Sequence, residues 1–209
     1  MNDLSTPGIR PPLQQRGQAR TEAVLAAARD LLAQEGLSGF SIPALAERLG
    51  FSRMSIYHFF PSQGAIIGEL ARRALDELER RVVSHALEHP EVRWKGQIAG
   101  LLGAVVEYFD EDPVAQLLIL GGGLTAEGYT EQSRTVLRLG NLTNRLFESG
   151  GLSLPRKPID TPVLLIDLGI TCMRMSVQLH GRVTPDYQRE VVETMARYIE
   201  PYLKSARGE

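Results

Sequence analysis

The side chains with the most chemistry to offer lie in one short stretch, Ser41 to Phe60, which reads SIPALAERLGFSRMSIYHFF. Within it Arg53, Met54, Ser55, Tyr57 and His58 fall on one side of a short helix, while Ile56 with Phe59 or Phe60 falls on the other. An arginine can give two parallel hydrogen bonds to the edge of a guanine, a serine can bond to several bases, and tyrosine and histidine can reach phosphate oxygens. This is chemistry for reading double-stranded DNA, not for breaking bonds. The chain has no nucleophile elbow, no HExxH pattern, no Rossmann or Walker glycine pattern, and no carboxylate pair whose spacing commits it to acid-base work. No catalytic residue is therefore assigned. His85 and His89 stand four apart, as a metal pair would, but no third ligand is placed to close the site, so a solvated helix end is expected and no metal or cofactor. Gly121-Gly122-Gly123 lacks the lysine and the preceding strand of a phosphate loop, which leaves a helix kink or close helix packing.

Two helices must hold the reading cluster. Ile42, Leu45 and Leu49 take the spacing of a buried helical face, Ser41 is placed to cap the first turn, and Pro43 needs no amide there. Phe40 before the cap and Leu45 inside the helix form a hydrophobic staple. Gly50 stops the helix and the pattern restarts at once with Phe51, cap Ser52 and Ile56. A helix, a tight glycine turn and a second helix whose amino-terminal end is polar make a helix-turn-helix at 41–60, which presents that end to a DNA major groove. The rival reading is a plain helical corner. Caps, staples, turn and polar outer face all agree with the DNA-reading form.

An earlier helix, with Val24, Ala28, Leu31 and Leu32 buried and Gly36 ending it, supports the pair. Residues 1–16 hold Pro7, Gly8, Pro11 and Pro12 and read as a flexible basic arm, from which Arg10 could reach a minor groove beside Arg16 and Arg20. Ser41 and Gln63, at the starts of the flanking helices, complete the expected DNA contacts.

The order glycine, apolar residue, serine, three variable positions, aliphatic residue, tyrosine, one residue, aromatic residue, phenylalanine, then Ser62 after a break, strongly resembles the DNA-binding segment of TetR-type transcription regulators. The match runs from about Gln18 to Leu70. Met54 stands where the family usually has glycine or alanine, Phe59 where histidine or tyrosine is common, and Gln63-Gly64 where lysine and glutamate commonly open the next helix. The resemblance implies a homodimeric repressor that binds a palindromic operator and is released by a small ligand. It also implies that the last two long helices form a four-helix dimer interface. The alternative is a helical DNA-binding protein without an effector, which dimerises or binds a protein partner.

At 209 residues, with 43% apolar and 23% charged residues, the composition is that of an ordinary globular chain. Residues 1–60 hold six Arg and five acids, for +1, and residues 61–209 hold 17 basic and 20 acidic residues, for −3. Charge alone does not argue for nucleic acid, so the case rests on where the arginines stand. A single cysteine, Cys172, excludes an internal disulfide framework and is expected to be a buried thiol. No run of 18 apolar residues and no apolar leader is present. No membrane partner is expected, and the expected location is cytoplasmic.

Pro61 ends the reading helix, and Ser62 can cap a long helix over about 63–87. Beyond it, helices are expected at about 93–110, 113–127, 130–149, 161–180 and 186–204, with no strands. The expected fold is all-α: a three-helix DNA-binding module at 17–62 joined by the long helix to an effector-binding and dimerisation domain at 63–209. Trp94, Leu101, Val105, Tyr108, Phe109, Leu117, Leu120, Tyr129, Leu146, Phe147 and Met173 are large apolar groups fit to line a cavity. Asp167, Thr171, Arg174 and His180 are the polar groups expected near them, and the effector is read as a small apolar compound. Two apolar stripes exceed what one small core needs: Val163, Ile166, Ile170, Met173 and Val177 on one helix, Tyr187, Val191, Met195, Tyr198 and Tyr202 on the next. Val163, Ile166, Ile170, Val177, Val191, Met195 and Tyr198 are accordingly expected to meet a second copy of the chain.

Overall fold

The structure is a computed structural model that describes residues 13–89, 94–121 and 126–207. Every regular element among the described residues is an α-helix. The chain divides into two compact units, Met1–Ile66 and Ile67–Glu209.

In the first unit α1 (Leu13–Gly39), α2 (Ile42–Leu49) and α3 (Arg53–Phe59) precede the opening turn of α4 (Gln63–Glu88). The last residues of the expected 1–16 arm are thus helical; Arg10 lies outside the described residues. Helical geometry in α1 is interrupted at Gly36, whose φ of 65° and ψ of −170° suit only glycine. The core takes Val24, Leu25, Ala28 and Leu32 from α1, Ile42 and Leu45 from α2, and Ile56 and Phe60 around α3, all buried. Burial is worth about 1.5–3 kcal/mol for each large side chain. Arg48 Nη1 donates to Gln34 Oε1 at 2.8 Å, which ties α2 to α1 at the surface.

The second unit holds the rest of α4 with α5 (Trp94–Glu111), α6 (Pro113–Leu120), α7 (Ala126–Ser149), α8 (Thr161–His180) and α9 (Pro185–Arg207). α8 packs on α7, α9 and α6, and α5 packs on α9 and α6. α6 is shorter than the expected 113–127: it closes at Leu120, where the Gly121 amide donates to Leu117 O at 2.9 Å. The next helix already begins at Ala126, and Gly122 and Gly123 lie outside the described residues. α7 and α8 approach closely because Gly140 lacks a side chain; a Cβ there would sit 2.8 Å from Val163 Cα. The turn between α8 and α9 is held by Ser176, whose hydroxyl donates to Arg182 O and accepts from the Thr184 amide, both at 2.9 Å.

α8 has the length and apolarity to cross a bilayer, yet only 33% of its most apolar window is buried within the chain. That leaves an apolar surface on a helix otherwise packed as a core element.

Candidate functional site

The reading helix is set by local capping. Ser41 Oγ accepts from the Ala44 amide at 3.3 Å, Pro43 occupies the first turn, and Gly50 closes α2 with φ 63°, ψ 26°. Ser52 Oγ then accepts from the Ser55 amide at 3.1 Å and starts α3. Ile56 is wholly buried and Phe60 nearly so, which fixes how α3 is turned. Its outer side therefore presents Arg53, Met54, Tyr57 and His58, all exposed, with Ser55 half-buried between them. Met54 is 76% exposed and Tyr57 45%, unusual for side chains of that size unless they await a partner. Phe59 is half-buried and meets the His58 ring edge to face at 5.2 Å, so the histidine is braced from behind.

Three of the other expected DNA contacts are placed differently from one another. Arg20 is exposed on α1. Arg16 belongs to α1, but its side chain lies outside the described residues. Gln63 turns inward: its Nε2 donates to Phe40 O at 2.9 Å and so pins the start of α4 to the residue before α2. That bond engages the amide nitrogen of Gln63 within its own chain. Ser62, not expected as a contact, caps α4 by accepting from the Ala65 amide at 3.1 Å.

The second unit encloses a cavity of about 110 Å³ walled by α4, α5, α6, α7, α8 and α9. Leu101, Val105, Leu120 and Phe147 line it as expected, as do Phe109, Leu146 and Met173. Tyr108 does not. It is buried beside the cavity, its hydroxyl donates to Ala74 O at 3.1 Å, and the Arg81 guanidinium lies 4.8 Å from its ring centre. Leu117 is half-buried outside the lining. Thr171 and Arg174 border a separate, open cleft with Asp160 and Asp167, and Arg174 Nε donates to Leu120 O at 3.0 Å. Neither Thr171 nor Arg174 lines the cavity that Ile170 and Met173 line. Tyr129 has its side chain outside the described residues, and His180 is exposed at the end of α8.

Sequence reasoning missed the α4 wall, Leu78 and Val82, and the two polar lining groups found among the described residues, Gln97 and Thr143. The first was signalled by their place in the apolar stripe of α4. For Gln97 and Thr143 no local signal existed.

The residues of the expected dimer stripe differ in burial. Ile170 and Val191 are 2% and 1% exposed, Ile166 and Met195 line the cavity, and Val163, Val177 and Tyr198 pack against the same core. Ile170 and Val191 thus face inward in their own chain, whereas the other five are half-buried. The most exposed large apolar groups of α8 are Met175, 50% exposed, and Leu179, 65% exposed. Because α8 is apolar on more than one side, its spacing could not say which side was the inner one. Cys172 is half-buried against this core rather than fully enclosed. His85 and His89 stack at 4.4 Å, and among the described residues no group of three or more His, Cys, Asp or Glu is placed to hold a metal ion.

The cavity walls are braced from outside by ion pairs. Arg138 on α7 grips Glu79 on α4 with both ends of its guanidinium, at 2.7 and 2.8 Å, and also bonds Asp76. The Glu79 hydrogen bonds come first in holding the Arg138 pKa above its usual value. Arg81 reaches Glu111 of α5 at 2.6 Å.

Residues 24–70 match the family model described as bacterial regulatory proteins, tetR family. Among solved structures, the chain is similar to a TetR-family transcriptional regulator from Streptomyces coelicolor, at 22% identity and a TM-score of 0.62 over 88% of this chain and 99% of that one. It is similar to the multidrug binding protein EbrR complexed with imidazole, at 21% identity and 0.63 over 86% and 94%. A TetR transcriptional regulator from Rhodococcus sp. RHA1 matches at 15% identity and 0.61 over 90% and 98%. Among curated proteins none matches.

Proposed function

We propose that the chain is a TetR-family transcription regulator, as its matched DNA-binding segment and its fold support, and that it works as a homodimeric repressor released by a small apolar ligand. Two copies of α3 enter successive major grooves of a palindromic operator. The observation that carries this reading is the outer side of α3, where Arg53, Met54, Tyr57 and His58 are exposed around Ser55 on a helix whose inner side is fixed by Ile56. Arg53 and Ser55 read bases, Tyr57 and His58 hold phosphates, and Met54 meets the apolar edge of a thymine. Arg20, and Arg16 beside it, add backbone contacts whose contribution falls with salt.

The second copy docks on the outward side of α8, where Met175 and Leu179 leave apolar surface uncovered. The effector occupies the 110 Å³ cavity. A protein of similar fold is described in complex with imidazole, in keeping with a small-molecule role for this unit.

Footprinting on the promoter region upstream of the chain's own gene and its neighbour tests the DNA reading. Two protected half-sites should lie on one face of the duplex about 34–36 Å apart, or a small multiple of that, in a palindrome. An asymmetric footprint, or a monomer in sedimentation at micromolar concentration, overturns it.

A further inference from the structure

The cavity in the second unit is specific about chemistry as well as size, and this inference rests on the effector reading above. Among the described residues no charged side chain lines it, and its polar groups are Gln97 and Thr143, neither of which has a hydrogen-bond partner among the described residues. Phe109, Phe147, Met173 and Met195 supply aromatic edges and thioethers around the same space. Trp94 meets Phe147 edge to face at 4.9 Å and holds that ring in place. Aromatic rings and methionine sulfurs favour a ring inserted between them. A cavity of about 150 Å³ with apolar walls is known to accept benzene, so 110 Å³ is on the scale of a single ring and too small for a multi-ring compound.

We propose that the effector is an uncharged, single-ring aromatic compound with one hydroxyl or carbonyl group. The ring packs among the phenylalanines and methionines, and the polar group bonds to Gln97 or Thr143. A carboxylate or quaternary ammonium of the same size is excluded, because it would leave water for a site with no counter-charge. Large cationic drugs are excluded by volume as well.

The test uses the full chain with toluene, p-cresol and benzoate as probes, read by calorimetry and by the rise in melting temperature. p-Cresol should bind several-fold more tightly than toluene, and benzoate at least about a hundredfold more weakly than p-cresol. Gln97→Leu combined with Thr143→Val should bring p-cresol down to toluene. Val105→Trp should abolish binding of both. If that variant does not fold, Gly169→Ala replaces it: the added Cβ would lie 3.5 Å from Met195 Sδ and 3.6 Å from Val191 Cγ1, ordinary contacts that narrow the cavity and should weaken p-cresol several-fold. Benzoate binding as well as p-cresol, binding indifferent to cavity filling, or no binding by either neutral probe each overturn the assignment. Operator affinity is measured separately. p-Cresol that binds but leaves the operator complex intact counts against release by the effector and not against the ligand class.

Discussion

Arg53 carries the sharpest expectation at the scale of single residues. If its guanidinium reads a guanine through paired bonds, Arg53→Ala costs about 1–3 kcal/mol per half-site and relaxes preference at one base, as selection from randomised operators would show. Tyr57→Phe instead weakens all sequences about equally, because a phosphate contact carries no base information. If Arg53→Ala leaves the preferred sequence unchanged, base reading passes to Ser55 or His58. The caps that aim these groups were legible in the sequence because a cap is a bond between residues three apart, as between Ser52 and Ser55. Gln63 was not legible for the opposite reason: its partner, Phe40 O, is 23 residues away, and a glutamine on a first turn looks the same whether it faces DNA or folds back. Met54 was placed correctly on the outer side by helical spacing, and nothing local contradicted it.

Among the elements, α4 is the one whose surface chemistry makes a pH-dependent statement. The Glu69 carboxyl is held at about 2, chiefly by its hydrogen bonds from Arg72 and then Arg73, and Glu77 at about 2 by Arg80 and then Arg81. Both folded values lie below the unfolded one, so their contribution is fully present above about pH 4.5 and is lost as pH falls towards 2. The pairs are partly solvent-exposed, so the effect is modest and weakens with salt. Melting temperature followed from pH 5 to 2.5 should fall less steeply in Glu69→Gln than in the parent chain, and the difference should shrink in high salt. An equal slope in both chains would remove Glu69 from the account. Arg138→Gln should destabilise the second unit by about 1 kcal/mol, since it leaves Glu79 and Asp76 without the cation that ties α4 to α7. The helices themselves were readable from apolar spacing and from Gly and Pro breaks. Which side of α8 faces inward was not, because Ile170 and Leu179 are equally apolar and only packing against α6, α7 and α9 separates a 2% exposed residue from a 65% exposed one.

For the whole molecule the question is how a filled cavity could reach DNA, and α4 is the element that belongs to both units. Its first turn is capped by Ser62 and pinned by Gln63 to Phe40, while Leu78 and Val82 further along are part of the cavity wall. α4 runs for 26 residues, about 39 Å at 1.5 Å per residue, from Gln63 past Val82. The hypothesis is that the effector is accommodated by shifting α4 and thereby changes the separation of the two α3 helices in the dimer. Coupling of this kind is reciprocal: a ligand that weakens operator affinity about a hundredfold is itself bound about a hundredfold less tightly by the operator complex, roughly 2.7 kcal/mol in either direction. Gln63→Ala separates the lever from mere occupancy. Removing its bond to Phe40 leaves the cavity lining untouched, so ligand affinity of the free protein should stay within about twofold, while the ligand's effect on operator affinity should fall well below a hundredfold. The measurement is a pair of operator titrations, with and without saturating ligand, for the parent chain and for the variant. An undiminished hundredfold effect in Gln63→Ala would show that the start of α4 is not where the displacement is delivered.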